Sequence, residues 1–209
     1  MKFEEDFFNL LGKLKRNEHF AYTRFSDGEI CVMQDKELKL ADDHVVMGET
    51  HYNFGYSSDD HKHYDPKQHG FLKDALIEAY KYKKENYFVG GICKGCTCAS
   101  KEFAPWMHEL YGKVDDNLTS TNLLVNSNYP LFVGHFIPEL KKKKVVFICS
   151  ENSDLSNSGF DVIKDFRVGK NCIVNDHHLV GEIKQWMDEN DIEDHVFLFS
   201  ASSLSEVLI

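Results

Sequence analysis

The segment Phe20-Ala21-Tyr22-Thr23-Arg24-Phe25 followed by Ser26-Asp27-Gly28-Glu29 sets the reading of the chain. A short aromatic and apolar run predicts a strand. Ser26 with Glu29 three residues later has the spacing of a helix-opening capping box. A strand that passes directly into a helix is half of a parallel crossover unit, so the neighbouring sequence should repeat the alternation.

It does so from Tyr87 onward. Apolar, β-branched or aromatic runs at Tyr87 to Ile92, Leu123 to Val125, Val145 to Cys149, Cys172 to Val174 and Val196 to Phe199 predict strands. Between them Leu179, Ile183, Trp186 and Met187 share one helical face. Leu72, Ala75, Leu76, Ala79 and Tyr80 do the same earlier, and Phe3, Phe7, Leu10, Leu11 and Leu14 form an apolar stripe near the start. The pattern predicts an α/β protein with an open, mostly parallel sheet and helices on both faces. At 209 residues the chain reads as a single domain over 1–209. Residues 46–70, rich in His, Tyr, Asp and Gly, lack a period and read as an excursion of the kind that covers a site.

Composition narrows the function. A net charge of −10 argues against a general nucleic-acid or anionic-membrane binder, which needs a basic face. No apolar run approaches the roughly 20 residues of a membrane span. The acidic start Met1-Lys2-Phe3-Glu4-Glu5-Asp6 is unlike a secretory signal. Cys31, Cys149 and Cys172, each inside an apolar run, read as reduced thiols. Together these features predict a cytoplasmic protein.

In open parallel sheets ligands bind beyond the carboxyl ends of the strands. The polar residues at those ends include Ser26 to Glu29, Asn126 to Asn128, Asn175 to His178 and Ser200 to Ser203. Asp27 and Glu29, separated by Gly28, have carboxylates that can converge on one hard divalent cation, while Arg24 adds a fixed positive charge suited to phosphate. The same residues also satisfy a purely local role: Ser26 and Glu29 cap the helix, and Asp27 complements its dipole.

Thr23-Arg24-Phe25-Ser26-Asp27-Gly28-Glu29-Ile30 resembles the Arg-Phe-Gly-Asp-Gly-Glu segment of the GT-D-type glycosyltransferases. Leu123-Leu124-Val125-Asn126 is similar to that family's strand ending in Asn, and Val145-Val146-Phe147-Ile148 to a later central strand. Val196 to Ser203 lies where the family has a strand and a phosphate-side turn, with Ser-Ala-Ser-Ser in place of Gly-Pro-Thr-Ala. Ser26 replaces a glycine. The resemblance implies a Rossmann-like fold and a metal-dependent transfer of sugar from a nucleotide-sugar donor, a UDP-sugar first among them. Asp27 and Glu29 would carry Mn or Mg and the diphosphate, with Arg24 in support. Gly28, Asn126, Ser202 and Ser203 would complete the donor site. A glycan or glycoprotein is the implied acceptor, and a homodimer is compatible with the resemblance. Family members are expected to continue past the equivalent of Ile209, so the domain reads as short at its C-terminus.

Two other readings stand beside this one. Cys93-Lys94-Gly95-Cys96-Thr97-Cys98 follows a strand, and Cys93 with Cys96 would suit a thiol-redox pair. A domain that binds nucleotide-sugar without turnover is the other. His61, His63 and His69, with Asp59, Asp60 and Asp65, would suit a transition metal or a polar loop. Asp176, His177 and the histidine-rich loop are candidates for an acceptor-side base, while helix capping by Asn175 or Asp176 accounts almost as well for the run Asp176-His177-His178. Trp106, Tyr111 and Trp186 read as core.

Overall fold

A computed structural model describes residues 3–53, 61–92 and 103–209. Helix α1 (Phe3–Lys15) carries Glu4, Glu5 and Asp6 in its first turn and Lys13 and Lys15 in its last, which matches the helix dipole at both ends. Its expected stripe is buried at Phe7, Leu10, Leu11 and Leu14. Strand β1 (Ala21–Arg24) then leads into helix α2 (Asp27–Met33), as read from the sequence.

The excursion that follows has structure of its own. Strands β2 (Leu38–Leu40), β3 (Val45–Met47), β4 (Thr50–Tyr52) and β5 (His63–Tyr64) form a four-stranded antiparallel sheet in the order β4-β3-β2-β5. Helix α3 (Pro66–Lys81) starts where Asp65 accepts a bond from the Lys67 amide at 2.9 Å and Pro66 fills the first turn, a position that needs no N–H.

Strand β6 (Tyr87–Gly91), helix α4 (Phe103–Tyr111) and strand β7 (Leu118–Ser120) complete the first half of the domain. A 3-10 turn at Asn126–Asn128 opens a helical run made of α5 (Tyr129–Leu131), a π-helical segment (Phe132–Phe136) and α6 (Ile137–Leu140). Strands β8 (Lys144–Ser150) and β9 (Asp161–Val168) follow, then helices α7 (Cys172–Asn175) and α8 (Leu179–Glu189). The chain closes with β10 (His195–Ser200), a 3-10 turn (Ser202–Leu204) and α9 (Ser205–Leu208).

The parallel strands form two sheets of three, ordered β1-β6-β7 and β10-β8-β9. The α/β character and parallel pairing agree with the sequence, whereas the single open sheet is divided and an antiparallel sheet is added. Both halves feed the same two cores. Val89 and Leu118 of the first sheet share one cluster with Val146, Ile148 and Phe166 of the second. On the opposite face Tyr22 and Phe88 share another with Val196 and Leu198.

Two predicted strands lie elsewhere. Leu123 to Val125 is a turn whose Leu123 is fully buried, and the strand is β7, just before it. Cys172 to Val174 begins a helix, and the strand is β9, at an edge of its sheet. Short apolar runs fill cores in any conformation, while the alternating charges of β9 reflect its solvent-facing side. Among the described residues no helix is long and apolar enough to cross a membrane.

Candidate functional site

The carboxyl end of β1 and the turn after β10 come together. At the start of α2, the Ser26 amide donates to Glu29 Oε2 at 3.0 Å and completes a capping box. That bond draws the Glu29 side chain back over the helix N-terminus. Its other oxygen, Oε1, accepts the hydroxyl of Ser203. Lys62, from the excursion, sits 3.6 Å from the same Oε1 and donates to Ser203 Oγ at 2.6 Å. Glu29, Lys62 and Ser203 are all buried.

This arrangement explains the charge on Glu29. Burial pushes its carboxyl upward, but Lys62, Ser203 and the Ser26 amide outweigh that and hold it below the usual carboxylate range. Glu206 is the opposite case. Burial, reinforced by the nearby negative charge of Glu29, raises its carboxyl well above the ordinary value. Its Oε2 is buried and has no hydrogen-bond partner among the described residues.

Asp27 behaves differently from Glu29. It is exposed, and Ser26 Oγ donates to its Oδ1 at 2.9 Å. Arg24 turns the other way: its Nε donates to the Thr121 carbonyl at 3.2 Å and its Nη2 to Ser26 Oγ at 3.4 Å. These bonds fix the guanidinium beside the turn, and among the described residues no carboxylate pairs with it.

Arg24, Asp27, Gly28, Glu29 and Ser202 line one cleft of about 1190 Å³, which also receives Lys62 and Glu206. Ser202 has φ +50°, a left-handed conformation that turns the chain sharply after β10. Ser203 is fully buried and reaches the site through Glu29. Asn126 also has a left-handed backbone, φ +56°, and its amide donates to Asn122 Oδ1 at 2.6 Å. It does not share the bonds that join the other residues.

Among the described residues no three His, Cys, Asp or Glu side chains gather closely enough to enclose a metal. A divalent ion held here would take one or two carboxylates and fill its remaining positions with water and substrate phosphate, a coordination that Mg accepts. Asp27 has free lone pairs for this role, whereas both Glu29 oxygens are already engaged, so Glu29 joins a metal only by exchanging Lys62 or Ser203.

The remaining candidates have local partners. His61 lies 3.7 Å from Asp42 and His63 3.7 Å from Glu37, while His69 Nδ1 accepts from the Asp65 amide at 3.0 Å. Asp176 accepts from the Gly169 amide at 2.8 Å, His177 packs edge-on against Phe71, and His178 lies 3.8 Å from Glu182. Tyr111 is buried core, and Trp106 and Trp186 pack against that core. Cys93, Cys96, Cys98, Asp59 and Asp60 lie outside the described residues.

Sequence reasoning missed Lys62 and Glu206. Lys62 is flanked by two histidines in an aperiodic stretch, and Glu206 looks like an ordinary first-turn helix acid. Burial alone distinguishes them. Comparison of the chain with protein-family models, with curated proteins and with solved structures gives no match.

Proposed function

We propose that this protein is a metal-dependent glycosyltransferase that holds the diphosphate of a nucleotide-sugar, a UDP-sugar first among them, in the cleft beyond β1 and β10. The observation that carries the reading is the meeting of Arg24, Asp27, Glu29 and Lys62 at one end of that cleft. This is where a parallel sheet presents strand ends and helix starts to a ligand. The likeness of Arg24 to Glu29 to the GT-D motif supports the same assignment.

In this reading Asp27 provides the open carboxylate for a divalent ion, Mn or Mg. When bound, that ion supplies Lewis-acid neutralisation of charge on the departing diphosphate. Arg24, held by Thr121 and Ser26, presents a preset cation to phosphate oxygens. Glu29 orients Lys62 and Ser203 and thereby fixes a second positive charge at the site. Glu206, whose carboxyl burial and the charge of Glu29 raise well above its ordinary value, has an O–H to donate to a ligand oxygen whenever it holds its proton. Ser202 shapes the turn, and Gly28, next to Asp27, lets Lys62 approach: a Cβ there would stand 3.7 Å from Lys62 Nζ and from Leu38 Cδ2.

Thermal shift with UDP-sugars in the presence and absence of Mn tests this directly. The expected result is a metal-dependent rise in Tm that vanishes in Asp27→Ala, followed by release of UDP on adding an acceptor glycan. A rise that Asp27→Ala leaves intact would remove the metal role. Binding without any UDP release would favour a non-catalytic binder.

A further inference from the structure

The cleft is larger than the roughly 300–1,000 Å³ typical of a small-ligand site. Much of it is a trench between the two parallel sheets. Along one wall run Ala21, Tyr22 and Arg24 of β1, and along the other every residue of β10 from His195 to Ser200. Among the described residues β1 is hydrogen-bonded only to β6, and β10 only to β8, so each is an edge strand there.

The orientation of the free edge follows from the pairing. The Ala21 amide donates to Asn86 and the Phe25 amide to Gly90, both on the β6 side. Backbone groups alternate sides along a strand, so the N–H and C=O groups of Tyr22 and Arg24 face the trench. β10 presents alternate groups from the other wall. The two strands also run the same way: their carboxyl ends meet at Glu29 and Ser203, and the residues before them, His19 and Phe20 on one side and Asp194 and His195 on the other, line the opposite end.

Soluble proteins protect such edges with charge, proline or a covering element. Val196-Phe197-Leu198-Phe199 carries none of these, yet all four residues are only partly buried. Strands of this composition are normally enclosed on both sides. Moreover, both sheets pack against the same two cores, so apolar layers lie on either side of the trench.

We infer that the trench receives one extended polypeptide strand from a binding partner, parallel to β1 and β10, which joins the two halves into a continuous sheet. Such a strand would lie about 4.8 Å from each wall. Its side chains meet Val196, Leu198 and Phe20 on one face and Phe197, Phe199 and Ile183 on the other, so it is apolar on both faces. The amino end of the trench is lined by Glu193 and Asp194, both exposed, and by Lys143, which is engaged with Asn17. Charge complementarity there selects a basic residue ahead of the apolar run. This inference does not depend on the sugar-transfer reading.

Hydrogen exchange with the full chain tests it. The probe is a synthetic peptide with two lysines ahead of about five alternating valines and isoleucines, and the control replaces the middle residue with proline, which cannot donate to a ladder. The expected result is slowing of exchange by about tenfold or more at the amides of Tyr22 and Arg24 and at alternate amides of Val196 to Phe199 with the probe, and none with the control. Three results would overturn the proposal: Tyr22 and Arg24 amides as protected as Thr23 in the free chain, no change with the probe, or protection that rises with protein concentration alone, which would mean that a second copy fills the trench.

Discussion

Lys62 Nζ lies 2.6 Å from Ser203 Oγ, a buried contact between residues 141 positions apart that ties the excursion to the turn after β10. Glu29 completes the group by accepting from Ser203 and pairing with Lys62. Removing the cation would leave Glu29 as an uncompensated buried charge. Lys62→Met is therefore expected to cost about 3–5 kcal/mol, measurable by urea denaturation. The double variant Lys62→Met/Glu29→Gln should recover a large part of the loss; no recovery would show that Lys62 acts through packing of its stem.

Asp27 should be separable from the fold. It is exposed, and among the described residues its side chain bonds to the adjacent Ser26 hydroxyl. Asp27→Ala is expected to change stability by no more than about 0.5–1 kcal/mol, since only a helix-terminus interaction is lost. A fall in Tm equivalent to several kcal/mol would mean that Asp27 serves the structure.

Glu206 gives a pH signature. Its carboxyl is raised in the folded state, so between the unfolded value, near the ordinary glutamate pKa, and the raised folded value the native chain holds a proton that the unfolded chain has lost. Stability from this group thus falls as pH increases through that window. Glu206→Gln should remove this slope and raise Tm at pH 8 relative to the parent, by about 2–4 °C per kcal/mol relieved. An unchanged slope in the variant's pH–Tm profile would assign it to another group.

Glu29 has the opposite sign. Its folded value is depressed, so its contribution is present above the ordinary glutamate pKa and disappears as pH falls through the folded value. Acid unfolding followed by circular dichroism should show a shallower loss of stability below pH 5 in Glu29→Gln than in the parent chain. Identical acid limbs would exclude the pair with Lys62 as a source of pH dependence.

Gly90 tests the packing that holds β1 in place. A Cβ there would meet Tyr22 Oη at 2.8 Å and the Thr23 carbonyl oxygen at 2.9 Å, and the Tyr22 hydroxyl is held by the Ser120 carbonyl at 2.9 Å. Because backbone lies on one side, Gly90→Ala is expected to cost about 1–3 kcal/mol by overpacking. Gly134→Ala, where a Cβ would meet open space, should cost far less in the same assay.

The sequence by itself determined the local features: the strand-to-helix junction at Ser26, the capping bond from Glu29, the buried stripe of α1, and the alternation that makes the protein α/β. Each depends on residues within a turn or two of one another, where periodicity and capping chemistry act directly. Only the tertiary structure decided that the aperiodic excursion forms an antiparallel sheet and that Leu123 fills a core from a turn. It also divided the parallel strands into two sheets, engaged Glu29 with Lys62 while leaving Asp27 open, and buried Glu206 beside them. These outcomes depend on which distant groups share a low-dielectric interior and which strand edges find a partner, and neither is encoded in the spacing of neighbours along the chain.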